Sequence, residues 1–262
     1  MIYHYSLHDA NRWALFSGDY NPIHFNIVHA RRQGLEHLAV HGMRAMLDMK
    51  SLLTQRLLAQ TPEAAFYRFS ARLRKPLHCG FPYRLHLEES GGRFIGRMQD
   101  ASDSSECFSA RLAPAAPLEA LSASVANTPL TAREEIFPGE ANTPAGYWGF
   151  LDAVLFQHLL ASPELLQMVN AVEPAFQAAS MMAVFSRLPV VQTHHDVLFS
   201  AELFIAKPLA TLRYAILPTQ VLGDKAQGLV VSAGIQAWVQ PDRPLMATTL
   251  TLKTQPLAAL FD

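Results

Sequence analysis

What this chain has little of narrows its class before any motif is read. It carries two cysteines, Cys79 and Cys107, in 262 residues. Two cysteines neither staple a secreted scaffold nor make a metal-ligand pattern, so a reducing setting is expected. Charged residues make up only 16%, and the formal net charge is −1. That balance gives no general case for nucleic acid or an anionic membrane surface as partner. No basic-then-apolar leader opens the sequence, and no apolar run is long enough to span a bilayer. The expectation is a cytoplasmic globular protein. Half the residues are apolar, which is enough for a core that needs no staples.

What is present concentrates in one run. Residues Phe16 to His24 read F-S-G-D-Y-N-P-I-H. The carboxylate of Asp19 stands five positions before the imidazole of His24. Pro22 fixes its own φ and pushes Asn21 out of the helical region. Asn-Pro initiates turns, and the Asn21 side chain can bond its own local backbone. A stiff loop that presents an aspartate and a histidine together suits acid–base chemistry on a bound water.

The rest of the chain reads as two similar passages. After His24, Asn26 can cap a short helix to about Arg32, stopped by Gly34. A longer helix opens near Gly42, with Ala45, Met46, Met49, Leu52 and Leu53 at helical spacing. Strands are expected over 66–74, 83–89, 93–99 and 106–112, separated by turn-rich segments. Residues 113–129 are small and Pro-rich and read as a linker, with a strand starting near Leu121. Helical segments then fill 147–187, broken at Pro163 and Pro174. Strands follow over 197–205, 211–222, 228–239 and 245–252. A local echo supports duplication: Phe69-Ser70-Ala71-Arg72-Leu73 leads into Lys75-Pro76-Leu77, and Phe199-Ser200-Ala201-Glu202-Leu203 leads into Lys207-Pro208-Leu209.

The F-S-G-D-Y-N-P-I-H run resembles the S-G-D-x-N-P-[IL]-H signature of the MaoC-like, (R)-specific enoyl-thioester hydratases, or hydratase 2. Gly34 and His41-Gly42-Met43 stand where that pattern continues. Asn26 replaces the family's usual aspartate, and both residues cap helices well. The resemblance covers about residues 10–112. With the element order, it implies an α+β double hotdog, each half a curved antiparallel sheet wrapped around a long helix. The expected division is a first hotdog over 1–112 with the catalytic loop, a linker over 113–129, and a second hotdog over 130–262 without the motif. The implied function is a hydro-lyase interconverting 2-enoyl and (R)-3-hydroxyacyl thioesters of coenzyme A or acyl carrier protein. Asp19 and His24 would be the acid–base pair and the Gly42 N–H the oxyanion donor, with Asn21, His41 and Met43 in substrate binding. The resemblance implies no metal and no redox cofactor. A homodimer is left open.

Other residues compete for a role. His194-His195-Asp196 could suggest a metal, but no partner has ligand spacing, so a loop or strand start is the expected reading. Arg72, Arg74 and Lys75 could meet coenzyme A phosphates or an acidic carrier protein, or could be solvated. Arg44 and Asp48 are an i,i+4 pair on the long helix or tune the pocket. Phe150 to Gln157 is similar to the L-D-A-x-x-Q segment of polyketide synthase dehydratases, which would make Asp152 catalytic. The segment holds one residue too many before Gln157, and the partner motif H-x-x-x-G-x-x-x-x-P is missing from the first half. The plain alternative for Asp152 is a helix-start carboxylate. Two rivals to hydration remain: a hotdog thioesterase, and a non-catalytic subunit that holds an acyl thioester.

Overall fold

The computed structural model describes residues 1–60, 62–119, 125–172, 177–188, 190–205, 208–224, 226–240 and 243–254. The first half runs β1 (Ile2–His4), α1 (Leu7–Ser17), a 3-10 turn at Pro22–His24, α2 (Ile27–Arg32) and α3 (Gly42–Leu58). It closes with β2 (Phe66–Leu73), β3 (Pro82–Ser90), β4 (Arg93–Asp100) and β5 (Glu106–Ala115). The second half runs β6 (Ala126–Pro129), α4 (Thr131–Glu134), α5 (Tyr147–Leu160), α6 (Pro163–Val172) and α7 (Met181–Phe185). Then come β7 (Val190–Ser200), a 3-10 turn at Ala201–Phe204, β8 (Thr211–Asp224), β9 (Gly228–Gln240) and β10 (Arg243–Thr254).

Among the described residues ten strands form one antiparallel sheet in the order β1-β3-β4-β5-β2-β7-β10-β9-β8-β6. Read inward from each edge, the halves share one topology: β1-β3-β4-β5-β2 and β6-β8-β9-β10-β7. This is the expected double hotdog. The halves join at β2 and β7, where Phe66–Arg72 pairs with residues 200 down to 194.

The two long helices fill the curve of the sheet for different reasons. Helix α3 buries one side, including Met43, Met46, Met49, Leu53 and Leu57. It lies tightly on β4: a Cβ on Gly96 would stand 1.9 Å from Met49 Sδ, so a glycine is what lets the helix settle there. Helix α5 buries twelve of its fourteen residues. A helix that is apolar all round must be enclosed, and α5 packs against α1, α3, β9 and β10. Trp148 of α5 stacks on Phe199 of β7, with ring centroids 4.3 Å apart, and donates its indole N–H to Thr54 Oγ1 of α3 at 2.9 Å.

The sequence reading departs from the structure in several places. The strand expected over 197–205 is β7, which begins at Val190 and ends at Ser200. The polar residues Gln192 to Asp196 look like a loop, yet β10 pairs along this stretch on one side and β2 pairs with His194 to Asp196 on the other. Ser200 then caps the 3-10 turn by accepting from the Glu202 N–H. Pro163 starts α6 as its first residue, where its missing N–H costs nothing. Helix α1, closed by a capping box between Ser6 and Asp9, was not anticipated. Leu121 and Pro174 lie outside the described residues; among the described ones, β6 begins at Ala126. In the echo, Phe69 and Phe199 lie on the topologically equivalent strands β2 and β7, while Lys207 lies outside the described residues.

Candidate active site

The loop between α1 and α2 is built by short-range bonds that its sequence dictates. Helix α1 stops at Gly18, whose φ of 75° is left-handed and whose N–H bonds the Ala14 carbonyl. Asp19 Oδ1 accepts from the Asn21 N–H at 3.2 Å, and Asn21 Oδ1 accepts from the Ile23 N–H at 3.3 Å. Two successive Asx bonds therefore hold the chain from Asp19 into the 3-10 turn that carries His24. The Asn26 N–H bonds the Pro22 carbonyl at 2.8 Å, and Asn26 then caps α2.

His24 is buried, and its Nδ1 lies 2.8 Å from the Ala39 carbonyl oxygen. A carbonyl only accepts, so the proton sits on Nδ1 and Nε2 keeps its lone pair. His41 stacks on the His24 ring with centroids 3.5 Å apart, and its Nε2–H donates to the Asp19 carbonyl at 3.0 Å. Donor atoms of Asp19, His24 and His41 all lie within 4.8 Å of one another. This is the grouping among the described residues that could approach a metal ion. The two rings are stacked, however, so their lone pairs run along nearly parallel planes rather than to a common point, which ill suits tetrahedral ligation.

Electrostatics follow from enclosure. Burial raises the Asp19 carboxyl above its ordinary range, against the lowering effects of His24 and the Asn21 N–H. Burial lowers the His24 imidazole, against the opposite pull of Asp19 and Ala39. Burial and then the neighbouring His24 push His41 down to about 2, so its ring is neutral.

Asp19, Asn21, His24 and Gly42 line one cavity of about 240 Å³. Gly42 opens α3, and helix starts present unpaired N–H groups with a positive dipole end. The second half supplies the opposite wall through Phe156 and Leu160 of α5, Phe185 of α7, Val190 and Gln192 of β7, and Leu252 of β10. Arg74 and Lys75 also line the cavity, whereas Arg72 is exposed on β2 and does not. His41 and Met43 do not line the cavity: His41 stacks on His24, and the Met43 side chain is buried at the α3 start.

Asp152 is neither at a helix start nor on the cavity. It is the sixth residue of α5 and fully buried. Lys50 of α3 pairs with its Oδ2, His195 Nε2 lies 2.8 Å from the same oxygen, and Thr248 Oγ1 donates to Oδ1 at 2.7 Å. Burial opposes ionisation of Asp152, but His195 and Lys50 override it and hold the carboxyl below the usual range. The three neighbours at 194–196 part company: His194 is exposed, His195 is buried in this network, and Asp196 accepts from Ser70 Oγ at 2.6 Å. They make no joint metal site. Arg44 and Asp48 form the i,i+4 pair at 3.0 Å, with Asp9 and the Tyr5 hydroxyl as further partners, away from the cavity. Sequence reasoning missed Lys50 and Gln192. Lys50 carried a signal, as a lysine on the buried side of a helix otherwise occupied by Met and Leu. Gln192 carried none.

The fold is that of a double-hotdog protein, and its first half brings the Asp19–His24 loop to the cavity. Across the whole molecule, the chain is similar to a conserved hypothetical protein of Mycobacterium tuberculosis described as a double hotdog. The TM-score is 0.52 at 11% identity, over 97% of this chain and 94% of that one. Such a likeness speaks to fold alone. Residues 3–103 match the family model described as a MaoC like domain, which supports the MaoC-like family for the first half. Over 109 residues the chain is 28% identical to the mitochondrial 3-hydroxyacyl-[acyl-carrier-protein] dehydratase of Arabidopsis thaliana. That match covers 40% of this chain and 60% of the relative's length.

Proposed function

We propose that this protein is a hydro-lyase interconverting 2-enoyl and (R)-3-hydroxyacyl thioesters, carried on coenzyme A or an acyl carrier protein. The observation that carries the reading is the convergence of Asp19, the Nε2 lone pair of His24 and the α3 start at Gly42 on one cavity. In the hydration direction, Asp19 and His24 grip a water between them. As the water oxygen bonds to Cβ, the pair takes one of its protons and electron density moves onto the thioester oxygen. The Gly42 N–H stabilises that oxygen. The proton then passes from the pair to Cα, the charge returns from oxygen, and the pair regains its starting state. One water is consumed and nothing is oxidised, so the same groups run dehydration in reverse. The apolar wall from the second half, Phe156, Leu160 and Phe185, suits the acyl chain, and Lys75 at the mouth suits a phosphate of the carrier arm.

The test is a conjugated enoyl thioester followed by its absorbance while free thiol is measured. Hydration predicts loss of the conjugated absorbance with no thiol released. Thiol release would mean a thioesterase, and no change across short, long and carboxylated acyl groups on both carriers would mean a binding subunit. Either outcome overturns the reading.

A further inference from the structure

Resting on the thioester reading above, we infer that Gln192, a residue of the second half, positions the carrier arm. It does so by accepting a hydrogen bond from the amide N–H nearest the thioester sulfur.

Three observations lead there. First, β7 is bulged at this point. In the pairing with β10, His194 faces Thr251 and Gln192 faces Leu252, so Thr193 has no partner of its own. Side chains on a regular strand alternate faces, and Gln192 would point opposite to His195. The extra residue resets the alternation, so both point inward, and bulges commonly re-aim a side chain at a site. Second, the Gln192 carboxamide is oriented. Its Nε2 lies 3.2 Å from His195 Nδ1. The Asp152 carboxylate accepts only, so His195 Nε2 carries a proton, and in the neutral imidazole Nδ1 is then an acceptor. Gln192 Nε2 also lies 4.0 Å from Met43 Sδ, a second acceptor, so the amide nitrogen is the end that faces His195. Asp152 is itself held by Lys50 and Thr248, so the orientation is set by a buried chain of groups from α3, α5, β7 and β10.

Third, that orientation leaves Oε1 on the cavity side. It stands 3.8 Å from the point a Gly42 Cβ would occupy, beside the proposed oxyanion donor. No described residue donates to it. A thioester held with its carbonyl oxygen at the Gly42 N–H brings two strong donors near. One is the hydroxyl or water at Cβ, which Asp19 and His24 hold. The other is the amide N–H two carbons beyond the sulfur, common to coenzyme A and carrier-protein arms. A fixed acceptor at this place matches the second.

The test compares two saturated thioesters that cannot be hydrated: S-butyryl-N-acetylcysteamine, which has the amide, and S-ethyl thiobutyrate, which lacks it. Binding to the wild type and to Gln192→Ala is titrated by NMR. The variant should bind the amide-bearing probe tenfold or more weakly and the amide-free probe equally well. With crotonyl-coenzyme A, the variant's KM should rise about tenfold while kcat stays within threefold. A purely structural role would weaken both probes alike, and that result overturns the proposal. So does unchanged binding of the amide-bearing probe. Both leave the thioester reading standing. A wild type that binds neither probe sinks the thioester reading and this inference with it.

Discussion

In the proposed mechanism Asp19 and His24 act on a single water, so their losses should not add. Asp19→Asn and His24→Ala should each abolish hydration in a folded protein, because both sit on a loop, outside the α3–α5 core. The double variant should be little slower than either single one, as expected of groups that work as a unit. Near-wild-type turnover in either single variant would remove the assignment. The proposed mechanism needs ionised Asp19 with neutral His24. Burial raises Asp19 and lowers His24, so acidification disables the pair by protonating Asp19 at a pH above the ordinary aspartate range, about 3.9. The acid limb of kcat/KM against pH should lie above that value, and a profile flat down to pH 4 would contradict it. At Gly42, a Cβ would stand 2.8 Å from Leu73 Cδ2, the movable end of a side chain. Gly42→Val should therefore fold. It should lower kcat by about a hundredfold or more, because one oxyanion donor is commonly worth that much, with a smaller change in KM. An unchanged kcat would place the donor elsewhere.

Among the elements, α3, α5 and β7 are tied through one buried carboxylate. Asp152 serves three partners, Lys50, His195 and Thr248, whereas Lys50 has Asp152 as its ion-pair partner. Asp152→Asn keeps the shape and strands a buried ammonium, and breaking a buried pair in this way costs about 3–5 kcal/mol. Lys50→Met should cost less, because Asp152 keeps two partners and a methionine fits the apolar surroundings. Urea denaturation of both variants checks the order, and equal or reversed losses would count against it. Because Asp152 is held below its usual range, its contribution is complete above the unfolded value and fades as pH falls through the folded one. The difference in stability between wild type and Asp152→Asn should accordingly shrink in acid. The same elements show what was legible in sequence. The α3 periodicity, the Asn26 cap and the meander β2 to β5 were readable because they follow from local chemistry. The inward turn of Gln192 was not, because it depends on a bulge set by pairing with β10. Asp152 read as a helix-start carboxylate because its partners lie 102 and 43 residues away in sequence.

At the scale of the whole molecule, the two halves repeat a topology but divide the work. The Asp19–His24 loop comes from the first half, and much of the cavity wall opposite comes from the second. The outermost strands of the joint sheet, β1 and β6, are only three and four residues long, and short edges resist pairing with other chains. The inner edges are different. β2 and β7 pair over seven residues, and Trp148 of the second half stacks at that seam and bonds Thr54 of the first. Cutting the chain between the halves would expose an unpaired strand edge of seven residues together with the apolar surface of α3. Residues 1–119 expressed alone should therefore not be a folded monomer. The fragment should aggregate or self-associate through β2, and co-expression with residues 125–262 should restore a soluble one-to-one complex with the cavity reformed. Size-exclusion chromatography with light scattering, read beside circular dichroism, decides the matter. A monomeric, cooperatively unfolding 1–119 that hydrates an enoyl thioester by itself would show that the second half is dispensable. The wall it contributes would then have to be read as a selector of acyl chains rather than as part of the machinery.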